Sequence, residues 1–419
     1  MTVRANQLDG LAVAIERVGC FDAPADTVLT AFFRAHAAMG QRDRAFVAEG
    51  AYAYLRRKRS LEALAATVDP HKLAISTLVR ELGHSVRELE PVLRSNDASW
   101  LADFKHRAQT AMLAPAVVAD VPEWLWERLR GVYGDAEAMA LARAFQTPAP
   151  LDLRANPAKT ARSDALVQLQ RDNLQAFATP FAPLGIRVAG RPSLVKHPWL
   201  VDGRLEVQDE GSQLVGHLVA PRRNDMVVDF CAGAGGKTLL LGALMRSQGR
   251  LYAFDVNAKR LAKLTPRLAR SGLSNVHPQV IAHESDAKVK RLAGKIDRVL
   301  VDAPCSGFGT LRRNPDLKWR QTPVDIEELT AKQRRIIASA AALVKPGGRL
   351  VYATCSVLPE ENDAIVEAFL AAHPDFVQRD AAAELARAEI ALDTGTSLRL
   401  LPHRHGCDGF FAAIVERVR

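Results

Sequence analysis

Cysteine is scarce in this chain. Five occur in 419 residues, as Cys20, Cys231, Cys305, Cys355 and Cys407, an odd number with no close pair. A disulfide-stapled scaffold is thereby excluded, and the thiols are left for other chemistry. Also missing are a signal-peptide pattern and any apolar run long enough to span a bilayer, so a cytoplasmic protein with no membrane partner is expected. There is no internal repeat and no low-complexity tract, which argues against a solenoid. Acidic residues do not balance basic ones: 56 Lys and Arg stand against 47 Asp and Glu, for a net charge of +9 and a pI near 9.5. A solvated basic surface accounts for such an excess, and so does a nucleic-acid partner. What remains, 48% hydrophobic and 25% charged, is an ordinary globular composition with length for two or three domains.

Strand signals are sparse from residue 1 to about 145, where helical periodicity prevails. Val47, Ala51, Tyr54 and Leu55 share one apolar face, and Asp26 to Met39 carries Val28, Leu29, Phe32 and Phe33 in the same manner. Arg56-Arg57-Lys58-Arg59 is expected to close a helix, complementing its dipole or meeting RNA. Pro148 and Pro150 then break the pattern. A small α/β connector is expected over 146–200, with strands at Leu151 to Asn156 and Ile186 to Val188 around a helix from Ser163 to Asn173. Over 201–419 strands alternate with helices, the signature of an α/β fold with a mostly parallel sheet. Strands are expected at 226–230, 251–255, 276–281, 298–302, 349–354 and 398–401, with a closing strand at 410–415 that can pair back as a hairpin.

The turn after the first of these strands is the most informative stretch. Val227-Val228-Asp229-Phe230 runs into Cys231-Ala232-Gly233-Ala234-Gly235-Gly236-Lys237-Thr238, then into a helical pattern. A P-loop requires glycine where Cys231 stands, and a dinucleotide fingerprint requires a third glycine where Thr238 stands. With both phosphate readings excluded, the stretch is read either as the seat of an adenosyl cofactor without phosphates or, more plainly, as an ordinary α/β turn with glycines. Asp255 ends the next strand pattern, about 20 residues past the glycines, where a ribose-binding acid belongs.

Cys305, in Asp302-Ala303-Pro304-Cys305-Ser306-Gly307, and Cys355, in Thr354-Cys355-Ser356, each follow a strand pattern. Both can therefore reach one pocket beyond the carboxyl ends of neighbouring strands. A reaction that needs an adenosyl cofactor, a thiolate and a carboxylic acid together is methyl transfer to C5 of a pyrimidine. That carbon becomes nucleophilic only after a thiolate adds at C6. An acid near N3 neutralises the charge that develops on the ring, and Asp302 is placed for that role. Residue types alone leave the choice of nucleophile open between Cys305 and Cys355.

The run Val301-Asp302-Ala303-Pro304-Cys305-Ser306-Gly307-Phe308-Gly309-Thr310-Leu311-Arg312-Arg313-Asn314-Pro315-Asp316 resembles the signature of RNA cytosine-C5 methyltransferases of the Sun/Nop2 family. So do Leu350 to Asn362 and the ending Asp408-Gly409-Phe410-Phe411. The resemblance implies a class I, Rossmann-like methyltransferase domain over 201–419, dependent on S-adenosyl-L-methionine and working as a monomer. It also implies an RNA substrate, 16S ribosomal RNA as in the RsmB-like branch, with transfer RNA or 23S ribosomal RNA as alternatives. The helical residues 1–145, best matched at Gly40 to Val47, resemble the NusB-like RNA-binding domain of that branch.

Carried over to this sequence, Cys231 to Lys237 and Asp255 would bind the cofactor, and Asp286 and Asp302 would line its site. Cys355 would attack C6, and Cys305 would assist release of the methylated base. Arg312, Arg313 and Lys318, just past the Pro-Cys turn, are nominated for the RNA strand. Gly233 and Ala234 depart from the family's usual Ala-Pro pair but keep the backbone donors. Three other readings are weaker. An amine methyltransferase would show a second proline and an aromatic after Asp302, and a non-catalytic RNA assembly factor would not need both thiols and Asp302. No metal is expected, because His403, His405 and Cys407 are too crowded in one turn for tetrahedral zinc.

Overall fold

The computed structural model describes residues 2–190 and 192–418. It divides into two compact units: the chain up to Pro148 together with Thr310–Pro323, and Ala149–Gly309 together with the chain from Val324 on. Among the described residues, no helix is long and apolar enough to cross a membrane.

The first unit is helical. Its longer helical stretches are Ala5–Val18, Ala25–Ala35, Gln41–Ala65, Pro70–Arg80, Asp97–Thr110 and Glu123–Phe145, the last broken into two helices at Gly134 (φ 74°, ψ 166°). Val47, Ala51, Tyr54 and Leu55 are buried together, as their spacing predicts, among Leu8, Leu11, Leu61 and Leu73. Gln41–Ala65 is two helical segments joined across a kink at Arg57 (φ −118°, ψ 16°), so one helix does end within the basic run and a second begins there. The four cations are taken up inside the unit. Arg56 donates to the Arg312 carbonyl at 3.1 Å, Lys58 pairs with Glu62 at 2.9 Å, and Arg59 donates to the Val121 carbonyl at 2.7 Å. Arg57 lies 3.4 Å from Glu81 and 3.5 Å from Asp120.

The second unit holds two sheets. The smaller comprises β1 (Leu151–Ala155), β2 (Ala176–Ala178), β3 (Gly185–Val188) and β4 (Leu205–Val207), in the order β2-β3-β1-β4 with all pairs antiparallel. The helix Arg162–Arg171 packs on it through Ala165 and Leu169. This sheet runs past residue 200, because β4 pairs with β1 from Leu153↔Val207 to Ala155↔Leu205.

The larger sheet comprises β5 (Met226–Asp229), β6 (Arg250–Asp255), β7 (Val276–Val280), β8 (Ile296–Asp302), β9 (Val344–Thr354), β10 (Phe376–Arg379), β11 (Leu398–Leu400) and β12 (Phe410–Arg417). Its order is β10-β12-β9-β8-β5-β6-β7, with β11 also on β12. Strands β5 to β9 pair in parallel, and β12 runs antiparallel to β9, β10 and β11. The closing strand is thus an interior strand as well as a hairpin partner. Val228, Val299, Val301 and Tyr352 are buried on one face, and Val227, Leu300, Val351 and Ala353 on the other. From β5 the chain winds to β6 and β7 on one side, then crosses to β8 on the other. The topological switch point therefore falls between β5 and β8, where open α/β sheets form their ligand crevice.

Candidate active site

A cavity of about 470 Å³ opens at this switch point, a size suited to a nucleoside-sized ligand. Phe230 and Cys231 from the end of β5, Asp255 from β6, and Asp302 with Cys305 from the end of β8 all line it, as does Cys355 after β9. The turn after β5 is built by its glycines. Gly233 (φ 57°) and Gly235 (φ 83°) occupy the left-handed region, where a side chain is strained. A Cβ on Gly235 would also fall 2.2 Å from Leu264 Cδ1. Asp255 accepts the Gly233 and Asn257 N–H groups at 2.8 and 2.7 Å, tying the turn to the end of β6. Asp229 is fully buried, and desolvation raises its pKa to about 7 although Thr238 donates to it at 2.7 Å.

Lys237, on the first turn of the helix Gly236–Leu244, points back across the sheet end. Its Nζ lies 2.9 Å from Asp302 Oδ2 and 5.1 Å from the centre of the Phe410 ring. Burial works against the ammonium, but the Asp302 carboxylate offsets this and holds the group above its ordinary pKa. The two thiols meet: Cys305 Sγ and Cys355 Sγ are 3.4 Å apart, and neither is in a disulfide. The hydrogen bond to Cys355, together with burial, keeps the Cys305 thiol protonated well above its usual range. Burial also pushes the Cys231 thiol up, with Asp229 adding to the effect. Gly309 lets three chain segments touch, since its N–H donates to the Cys355 carbonyl and its carbonyl accepts the Gly409 N–H, both at 2.8 Å. A Cβ there would lie 2.1 Å from the Gly409 oxygen.

A family profile described as 16S rRNA methyltransferase RsmB/F matches residues 216–416, and one described as an RsmF/B-like ferredoxin-like domain matches residues 121–194. The chain is 35% identical over 314 residues to a ribosomal RNA small subunit methyltransferase B from Sodalis glossinidius, covering 73% of this chain and 69% of that one. The chain belongs to the RsmB/F family. A probable ribosomal RNA small subunit methyltransferase B from Synechocystis is 38% identical, and the match spans 71% of this chain and 66% of that protein. The crystal structure of PH0851 superposes over 100% of both chains with 25% identity and a TM-score of 0.79.

Several expected positions of this RsmB/F chain take other places. Asp286 does not line the cavity. It caps the short helix Ala287–Lys290, its carboxylate accepting the Ala282 and Lys288 N–H groups at 2.8 Å each. Glu284 lines the cavity instead. The basic loop expected at Arg312, Arg313 and Lys318 is not a free surface. Thr310–Pro323 belongs to the helical unit, where Arg312 and Lys318 are buried and Arg313 is half-buried. Lys318 donates to the Arg56 carbonyl at 2.9 Å, Trp319 donates to the Leu55 carbonyl at 3.1 Å, and Asp316 accepts the Ala25 N–H at 3.2 Å. Desolvation pulls the Lys318 pKa down to about 7, which unfits it as a free cation for phosphate. His405 binds the Leu401 N–H through Nδ1 at 3.0 Å, and no group of three or more His, Cys, Asp or Glu side chains that could hold a metal gathers among the described residues.

Asn257, Arg260, Glu284 and Lys332, which the sequence does not single out, also border the cavity from three separate segments. Only Asn257, two positions past Asp255, carried a local signal.

Proposed function

We propose that this chain transfers a methyl group from S-adenosyl-L-methionine to C5 of a cytosine in RNA, specifically 16S ribosomal RNA, through a covalent adduct between Cys355 and C6. The observation that carries the reading is the pair of thiols 3.4 Å apart, in one cavity with Asp255 and with Asp302, which pairs with Lys237.

The residues present suit the cofactor. Of the turn Cys231, Ala232, Gly233, Ala234, Gly235, Gly236 and Lys237, Cys231 lines the cavity; Asp255 supplies a carboxylate for ribose hydroxyls, and Phe230 and Ile281 supply an apolar wall. When bound, the cofactor supplies an electrophilic methyl group.

The protein's part is to make C5 nucleophilic and then restore the ring. Cys355 is close enough to the Lys237 ammonium for the two to interact electrostatically, and a cation beside a sulfur favours its thiolate. The hydrogen bond to Cys355 and burial raise the Cys305 thiol. The family resemblance assigns the attack on C6 to Cys355, and the neighbouring Lys237 supports it. The C6–S bond forms as electron density moves to N3, where the Lys237–Asp302 pair supplies the proton. C5 then takes the methyl group, and Cys305, its own proton having passed to solvent water, takes up the C5 proton. As that C–H bond breaks, the Cys355 sulfur leaves as a thiolate, N3 returns its proton to the Lys237–Asp302 pair, and the aromatic ring is regenerated.

The RNA assignment rests on the family and on the net charge of +9. Bisulfite sequencing of total RNA from cells with and without the gene tests it. One cytosine of 16S ribosomal RNA should lose its protection in the deleted strain. An unchanged pattern in all RNA would refute the activity, and a lost site in transfer RNA or 23S ribosomal RNA would move the substrate.

A further inference from the structure

The two thiols sit on separate loops, and something must set their spacing. Between those loops, beneath the cavity, lies a carboxylate to which the mechanism gives no part. Glu361, on the short turn Pro359–Glu361, is fully buried. One oxygen accepts the Ser306 backbone N–H at 2.8 Å and Gln333 Nε2 at 3.1 Å. Its other oxygen accepts the Ser306 hydroxyl at 2.5 Å and the Ser356 hydroxyl. Ser306 follows Cys305 and Ser356 follows Cys355, and the two hydroxyls are 3.2 Å apart. Gln333 also donates to the Pro304 carbonyl at 2.9 Å, so Cys305 is held on both sides.

We infer that Glu361 is a positioning residue for the two-thiol reaction: one buried carboxylate clamps the loops bearing Cys305 and Cys355 and fixes the separation of their sulfurs. This rests on the function proposed above. No cation pairs with Glu361 among the described residues, so its carboxyl group is held by four hydrogen bonds, all but one of them from the serines beside the thiols. An isolated buried carboxylate is costly. A purely structural cross-link between two loops could be made by a neutral side chain, as Thr354 and Asn362 do nearby at 2.5 Å. What the carboxylate adds is two acceptor oxygens in a rigid plane, spanning the Pro-Cys turn and the Thr-Cys turn together.

The test uses full-length Glu361→Gln and Glu361→Asp. Glutamine keeps the shape but turns one acceptor into a donor, and aspartate keeps the charge but is one methylene too short to reach both serines. Two readouts are taken on folded protein, confirmed by circular dichroism. The first is methylation kinetics: kcat should fall about 10- to 100-fold with KM for RNA little changed, as expected when reacting groups are displaced by a fraction of an ångström. The second is chelation of phenylarsine oxide, which needs two thiols at close spacing, with Cys305→Ser as the blank. Both variants should bind it more weakly than wild type. Should either variant fail to fold, the other carries the test, and glutamine is expected to fold because it preserves the volume of the buried side chain.

Wild-type kcat with wild-type chelation in a folded variant would overturn the inference, as would a loss confined to thermal stability. Weakened chelation in a protein whose wild type methylates no RNA would sink the proposed reaction while leaving the clamp in place.

Discussion

Two buried lysines divide the molecule's chemistry. Lys237, in the sheet unit, and Lys318, in the helical unit, are both almost withdrawn from solvent. Lys237 faces a carboxylate at 2.9 Å and keeps its charge more firmly than a free lysine. Lys318 faces the backbone carbonyl of Arg56 and is driven down to about 7 by burial, although Asp120 works against the fall. A neutral dipole does not replace lost water as well as a countercharge does. The lesson concerns partner type: a lysine kept for chemistry is buried beside an acid, and a lysine kept for packing is dissolved on carbonyls.

Three substitutions sharpen that contrast. Lys237→Met should reduce methyl-transfer kcat about 10- to 100-fold, the worth of a hydrogen bond between charged partners. Lys318→Met should leave turnover unchanged, and equal losses in the two variants would erase the distinction. The second effect is on stability. Lys318 has a folded pKa below its unfolded value of about 10.4, so between roughly pH 7 and 10 the unfolded chain binds the extra proton. Its contribution is therefore full above that window and lost as pH falls toward 7. Urea unfolding followed by Trp319 fluorescence should show the helical unit gaining on the order of 1 kcal/mol per pH unit from pH 7 to 9. Lys318→Met should flatten the slope, and a slope that survives the substitution would assign it to another group. The smallest effect belongs to Thr238→Val, which removes the donor to Asp229 and should cost about 1 kcal/mol by thermal denaturation at pH 8.

Much of the sheet unit was readable because its strands are apolar runs ending in polar residues. Asp229, Asp255, Asp302 and Cys355 lie at or just past the carboxyl ends of β5, β6, β8 and β9, and backbone pairing brings those ends together. β10 went unread because Phe376-Val377-Gln378-Arg379 is short and half-polar, and it is made a strand by β12 alone. In the helical unit the failures share one cause. Arg56 to Arg59, Arg312 and Lys318 look like solvated charge in a one-dimensional pattern. Carbonyls and acids distant in sequence satisfy several of them, including Arg312 O, Arg56 O, Asp120 and Glu81. Glu284 and Lys332 were invisible for the same reason, since only the fold brings them to the cavity.

The central claim is that two adjacent thiols act in sequence, Cys355 adding to C6 and Cys305 allowing its release. Labelled RNA and cofactor, incubated with each Cys→Ser variant and run on a denaturing gel, read this directly. Cys305→Ser should give a shifted protein–RNA band, because addition and methyl transfer proceed while elimination stalls. Cys355→Ser should give no band and no methylation, since a serine hydroxyl is far harder to ionise than a thiol. The reverse pattern, a band only with Cys355→Ser, would exchange the two roles and contradict the account.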